Sequence, residues 1–262
     1  MPRRLIDLSV TLADKEFWPP HHRPRITYRN HDETWESFER AFPGIRRDQV
    51  PDGKSWATEE VTLVTHAGTH MDAPWHFHPT MDHALVPGGR PAATIEQVPL
   101  DWCHRPGVKL DFSRMAPGSV VTAGDVEGEL ARIGHALQPL DIVLVQTPAA
   151  PHYGTPHYQD NGIGIGRAAT LYLTERGVRV VGTDAWGWDA PFGAVMERYA
   201  QTGDASTIWE GHKAGRDIGY FQMEKLANLD QLPGTGFTVI CFPVKIQGAS
   251  AGWTRAVAVI DD

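Results

Sequence analysis

The sequence predicts an α/β fold in a single domain, and three observations carry that prediction. Apolar residues switch repeatedly between a period of two and a helical spacing, so strands alternate with helices along the chain. Two short runs, LDIVLVQ at 140–146 and VRVVGT at 178–183, are apolar enough to be strands buried on both faces. No repeat, charge run or linker divides residues 1–262, and 41% of them are hydrophobic, enough for one sizeable core.

The elements follow in order. Ile6, Leu8, Val10 and Leu12 alternate over 5–12, a strand. Residues 13–30 hold several prolines and the pair His21-His22, and a loop that long is a candidate lid or interface. Asp32 is placed to cap a helix over 32–42, with Trp35, Phe38 and Phe42 on its apolar side. A second strand, 57–66, is expected to deliver His66 at its end, and the Gly- and Pro-rich stretch 67–91 is irregular backbone. After a short strand at 107–112, Thr122 opens a helix with Asp125 three residues on, a capping-box pattern. A helix over 167–176 ends at Gly177, helical patterns recur near 192–201 and 221–229, and strands at 236–244 and 253–260 complete the fold.

Composition excludes several classes. With 24 Lys+Arg against 32 Asp+Glu the formal charge is −8, so no basic face is available for nucleic acid. No apolar run approaches a membrane span, and Asp7 and Asp14 interrupt the start of the chain too early for a signal peptide, so a cytoplasmic protein is expected. Cys103 and Cys241 are far apart in sequence and fit buried hydrophobes better than a disulfide framework.

Five of the 13 His fall between positions 66 and 83: His66, His70, His76, His78 and His83. In extended backbone His70 and Asp72 project to one side, and a turn at Gly68 can fold His66 back toward them. Imidazole nitrogen and carboxylate oxygen together suit zinc, manganese or iron(II), and three ligands leave coordination positions open for catalysis. His76 lies beyond the turn at Pro74, where it can serve as a general base, a fourth ligand or a packing residue. The competing reading is a surface loop that happens to be rich in His. His78 and His83 are expected to lie outside the ligand set.

The stretch His66-Ala67-Gly68-Thr69-His70-Met71-Asp72-Ala73-Pro74-Trp75-His76 resembles the H-x-G-T-H-x-D-x-P-x-H signature of the cyclase family, which includes bacterial kynurenine formamidase and isatin hydrolase. The resemblance extends to Ile6-Asp7-Leu8-Ser9, to Gly177–Asp184 as G-v-x-x-x-G-x-D, to Glu224–Leu229 as E-x-L-x-N-L, and to Pro243–Ile246 with Arg255. It implies a swivelling β/β/α (cyclase-like) domain, usually a homo-oligomer such as a dimer or tetramer. It also implies His66, His70 and Asp72 as metal ligands, His76 as the catalytic His, and hydrolysis of an amide or lactam in a small substrate. The formamidase builds a second metal site with a Glu on the helix before the G-v-x-x-x-G-x-D strand; Ala168 stands at that place here, and neither His152 nor His157 restores a carboxylate. One Zn or Mn per site is therefore expected, unless another group completes a second site.

Other residues are weaker candidates. His212, Glu224 and Gln247 are candidates to reach the substrate or stand behind the ligands, although a helix N-terminal carboxylate is the simpler account of Glu224. Trp18, Trp75 and Trp186 are candidates to line an aryl pocket, and Trp186 with Trp188 would narrow it. Asp184 and Asp189 read as turn caps, and Arg255 as the partner of a structural carboxylate. Two alternatives from other classes stay open: a 2-His-1-carboxylate iron oxygenase drawing its third ligand from His152, His157 or His212, and a non-catalytic metal-binding protein with His76 as a ligand.

Overall fold

The computed structural model describes residues 3–261. They form two compact units, one of the residues up to Thr11 together with those from Thr65 onward, the other Leu12–Val64.

The larger unit is built on a nine-stranded mixed sheet: β1 (Arg3–Asp7), β2 (His70–Asp72), β3 (His104–Asp111), β4 (Ile142–Gln146), β5 (Val180–Thr183), β6 (Phe221–Glu224), β7 (Phe237–Ile240), β8 (Ala251–Trp253) and β9 (Val257–Asp261). Their spatial order is β1-β9-β7-β3-β4-β5-β6-β2-β8. β3, β4, β5 and β6 are mutually parallel, and every other pairing is antiparallel. Parallel neighbours need long crossovers. These contain α2 (Ala123–Ile133), α3 (Arg167–Glu175), and α4 (Phe192–Thr202) followed by α5 (Glu210–Ala214); the single-turn α1 (Pro74–Phe77) follows β2.

The continuous apolar run at 140–146 is explained by burial on both faces. Ile142 and Leu144 join a core with Ile6, Phe237 and Val239, while Val143 and Val145 point the other way, into a core with Val126 and Leu130 of α2 and Leu173 of α3. The capping box at Thr122 forms as expected: its hydroxyl accepts from the Asp125 N–H at 3.2 Å, and the Asp125 carboxylate accepts from the Thr122 N–H at 2.8 Å. Gly177, at φ 88°, supplies the left-handed residue after α3. Both cysteines are buried and unpaired by any disulfide, and Arg255 grips Asp7 through two nitrogens at 2.8 and 2.7 Å.

The smaller unit holds a hairpin of Arg25–Arg29 with Thr58–Thr62 and a helix at Trp35–Ala41. Three expectations change there. The 13–30 loop contains a strand. The 57–66 strand ends at Thr62 with all five residues exposed, so it does not deliver His66. Thr34 sits at the helix N-cap, and Asp32 instead pairs with Lys54 at 2.6 Å.

The helical pattern near 221–229 is also corrected, because Phe221–Glu224 is a strand. Phe221 and Met223 enter the core, while Gln222 and Glu224 are buried on the opposite face. The alternation is real, but buried polar residues disguise it. Lys225 and Asn228, at φ 57° and 59°, then prevent a helix from continuing.

Candidate metal centre

The centre is assembled by two neighbouring strands. β2 places His70 and Asp72 on one face and sends Met71 to the core on the other. β6 lies antiparallel beside it, with Glu224 opposite His70, Met223 opposite Met71 and Gln222 opposite Asp72. The two polar–Met–polar triplets thus match side for side. Thr69 fixes the junction: its hydroxyl donates to the Lys225 carbonyl at 2.6 Å and accepts the Val10 N–H at 2.9 Å.

Gly68, at φ 65°, makes the turn that folds His66 back over the strand. His66 Nδ1 then lies 2.8 Å from Asp72 Oδ1, and its Nε2 lies 3.0 Å from the Ser250 hydroxyl. His70 Nδ1 donates to the Gly68 carbonyl at 2.8 Å, which turns Nε2 inward. That Nε2 is 3.1 Å from Asp72 Oδ1 and 3.6 Å from Glu224 Oε2. His76, one helical turn past Asp72 on α1, brings Nε2 to 4.0 Å from Asp72 Oδ2.

His212 reaches the same carboxylates from α5. Its Nε2 is 3.9 Å from Asp72 Oδ2, 3.6 Å from Glu224 Oε1 and 3.0 Å from the Gln222 amide nitrogen. Asp189 holds it there, accepting the N–H groups of Gly211 at 2.8 Å and His212 at 3.1 Å as well as a short bond from Nδ1. Glu224 is itself fixed by the Gln222 amide at 2.7 Å and by Lys225 Nζ at 3.3 Å.

These surroundings set the ionisation. Burial alone would raise the Asp72 carboxyl, but the imidazoles of His70 and His66 hold it well below the ordinary carboxylate range. Burial opposes the Glu224 carboxylate too, yet Lys225 and His212 bring it to about 2. His76 drops to about 4, chiefly because it is desolvated, with His66 and His212 adding to the effect. Burial pushes His212 down as well, but the Asp189 and Glu224 carboxylates outweigh it and raise it to about 10.

The donor set fits a divalent cation. His70 Nε2 and Asp72 Oδ1 are buried and accept or donate no hydrogen bond, a costly state for polar atoms that a cation between them would relieve. Two ligand groupings have atoms close enough to share an ion: His66, Asp72 and His76, and His70, Asp72 and Glu224.

The remaining candidates are distributed as follows. His66, His70, Asp72, His76, His212 and Glu224 come together. Glu224 lies on a strand and is no helix cap. Trp186 is half-buried and tied to the cluster through Lys225, whose Nζ donates to its carbonyl at 2.8 Å and sits 4.5 Å from its ring centre. Trp188 is fully buried, with its indole N–H on Thr170, so it packs the core and does not narrow a pocket. Trp75 and Gln247 are exposed, and Trp18 belongs to the smaller unit. Among the described residues neither His152 nor His157 joins a metal-ligating group. Ala168 lies on the exposed side of α3, and Glu224 supplies the extra carboxylate instead. Sequence reasoning missed Gln222, Lys225 and the grip of Asp189 on His212. The one available signal was the Gln222-Met223-Glu224 triplet, which repeats the polar–Met–polar form of His70-Met71-Asp72.

A nine-stranded α/β fold with a buried His/carboxylate centre defines a class of metal-binding proteins, and comparison gives the family. The model of the family described as "Putative cyclase" matches residues 6–190; the chain belongs to the cyclase family. A kynurenine formamidase of Erythrobacter litoralis (strain HTCC2594) is 26% identical over 258 residues, covering 97% of this chain and 93% of that protein. An isatin hydrolase crystallised with the product analogue thioisatinate superposes with a TM-score of 0.74 at 20% identity, over 99% of this chain and 93% of the other. Isatin hydrolase A from Ralstonia solanacearum gives a TM-score of 0.72 at 22% identity, over 99% and 92%.

Proposed function

We propose that this chain is a metal-dependent hydrolase that cleaves an acyl C–N bond, or a related C–O bond, in a small aryl substrate such as an N-formyl arylamine or a cyclic amide. Residues 1–262 work as one functional domain, in a homo-oligomer within the cytoplasm. The observation that carries this reading is the pair of buried, unbonded ligand atoms, His70 Nε2 and Asp72 Oδ1, with the His76 ring beside them. Kinship with a kynurenine formamidase and the fold shared with isatin hydrolases support the choice of substrate.

His66, His70 and Asp72 would hold a single Zn or Mn ion, with Glu224 and His212 beside it. Such an ion would polarise a carbonyl and lower the pKa of a bound water to about 7. The chain's own residues do the rest. Asp72 stays ionised at all working pH values, so it binds and does not shuttle protons. His76, desolvated and neutral above pH about 4, accepts a proton at Nε2 and returns it to the leaving nitrogen. Asp189 keeps His212 facing the site, and Lys225 keeps Glu224 ionised and links it to the Trp186 backbone. His152 and His157 lie outside the cluster, and although His212 reaches it, kinship with a kynurenine formamidase favours hydrolysis over an iron oxygenase.

The test is metal analysis of protein purified without added metal, followed by a screen of N-formyl arylamines, isatins and lactones. One Zn or Mn per chain with turnover of an aryl amide is expected. His76→Ala should keep the metal and lose at least about 100-fold in kcat, at the low end for general-base loss; His70→Ala should lose metal and activity together. Wild-type turnover by His76→Ala would remove His76 from the mechanism.

A further inference from the structure

Trp209 precedes α5 with φ 58° and ψ 39°, the left-handed region. Glycine adopts this conformation freely and a bulky aromatic residue resists it. Such backbone strain persists where the surroundings over-determine it, and it concentrates at functional sites. Here the surroundings are two histidines of the centre. The indole lies flat on the His212 ring, with centroids 4.6 Å apart and planes 13° from parallel. It also meets the His76 ring edge-on at 5.1 Å and 70°.

The two imidazoles are secured very differently. His212 is anchored by Asp189 at Nδ1, so it does not need the indole to hold its direction. His76 is placed by its neighbours alone: the His66 ring at 4.1 Å on one flank, Trp209 on another, and the Asp72 carboxylate 4.0 Å from Nε2. A right-handed residue at 209 would swing the indole away from both rings.

We propose that Trp209 is a positioning residue for His76: its left-handed backbone hangs the indole between His212, which is fixed, and His76, which is not, and so sets the plane in which His76 exchanges a proton. The proposal rests on His76 as the proton acceptor of the reaction above. It assigns Trp209 no contact with substrate.

Trp209→Gly separates the backbone from the ring, because glycine keeps the left-handed turn and removes the stack. The expected result is a fall in kcat on the order of 100-fold, the size of effect that a displacement of about 1 Å produces. KM should stay within about twofold, with metal content and thermal midpoint no lower than wild type, since glycine suits the left-handed turn. Trp209→Phe should recover most of the lost kcat. The decisive measurement is a double-mutant cycle with His76→Ala, in which a residue acting only through His76 changes kcat less than about twofold. Three results overturn the proposal: unchanged kcat in Trp209→Gly, a rise in KM at constant kcat, or a full Trp209→Gly effect persisting without His76. Loss of metal or a lower melting point in Trp209→Gly, with no recovery in Trp209→Phe, would also overturn it by making Trp209 structural. If His76→Ala alone is fully active, the role of His76 fails and this proposal with it. If His76→Ala is slowed but the cycle is additive, only the role of Trp209 fails.

Discussion

Asp72 and Asp184 are both almost fully buried, at 0% and 1% exposure, yet their carboxyl groups are shifted in opposite directions. Imidazoles surround Asp72 and hold it ionised. At Asp184 one oxygen accepts the Thr147 N–H at 2.8 Å, the other accepts nothing, and burial, outweighing the Thr147 bond, raises its pKa to about 7. A carboxyl raised on folding contributes stability that is complete below its unfolded pKa, near 4, and is lost as pH rises through about 7. The penalty above pH 7 is on the order of 4 kcal/mol. Asp184→Asn is therefore expected to flatten the decline in thermal midpoint between pH 5 and pH 8; an unchanged decline would show that another group causes it. At this scale the sequence made part of the site legible. His66, His70, Asp72 and His76 are placed by one glycine turn, one three-residue strand and one proline, all local features. Asp189 owes its role to His212, far away in sequence, and Gln222 and Lys225 brace the adjacent Glu224, a role that shows only once β6 lies beside β2.

Strands and helices explain both what was readable and what was not. β4 and β5 declare themselves because both of their faces meet apolar side chains. β6 does not, because one of its faces carries the site, and a buried Gln or Glu reads locally as surface. The short α5 that presents His212 depends on a close approach at Gly211. A Cβ there would lie 2.5 Å from the Ile165 carbonyl oxygen and 2.8 Å from the Trp188 ring, neither of which has room to retreat. Gly211→Ala is expected to cost about 1–3 kcal/mol by overpacking, lowering the melting point by several degrees. It should also reduce kcat by at least about tenfold as α5 and His212 shift; a variant with unchanged melting and turnover would mean that α5 is free to move.

Across the whole molecule, the formal charge of −8 gave early warning only of what the protein does not bind. No helix among the described residues is long and apolar enough to cross a membrane. The α/β class was legible in the larger unit, and the alternation of elements there too except at β6, which reads as helix, and β2, which lies in a stretch read as irregular. The separate compactness of Leu12–Val64 was not read, although that stretch is richer in charged residues than the rest of the chain. If the centre holds a divalent ion, the ion stabilises the folded state by mass action. Removing it with a chelator should lower the melting point by several degrees and abolish turnover, and Mn or Zn should restore both; a melting point insensitive to chelation would argue against a resident ion. The matched triplets of β2 and β6 carry one more consequence. Since side chains alternate strictly, sliding either strand by a single residue would bring Met71 or Met223 into the centre and bury its polar partners in the oily core. The full set of groups therefore meets in one register only: a slip of β6 withdraws Glu224 and a slip of β2 withdraws His70 and Asp72, so an ion that touches both strands reads whether the sheet has closed in the right frame.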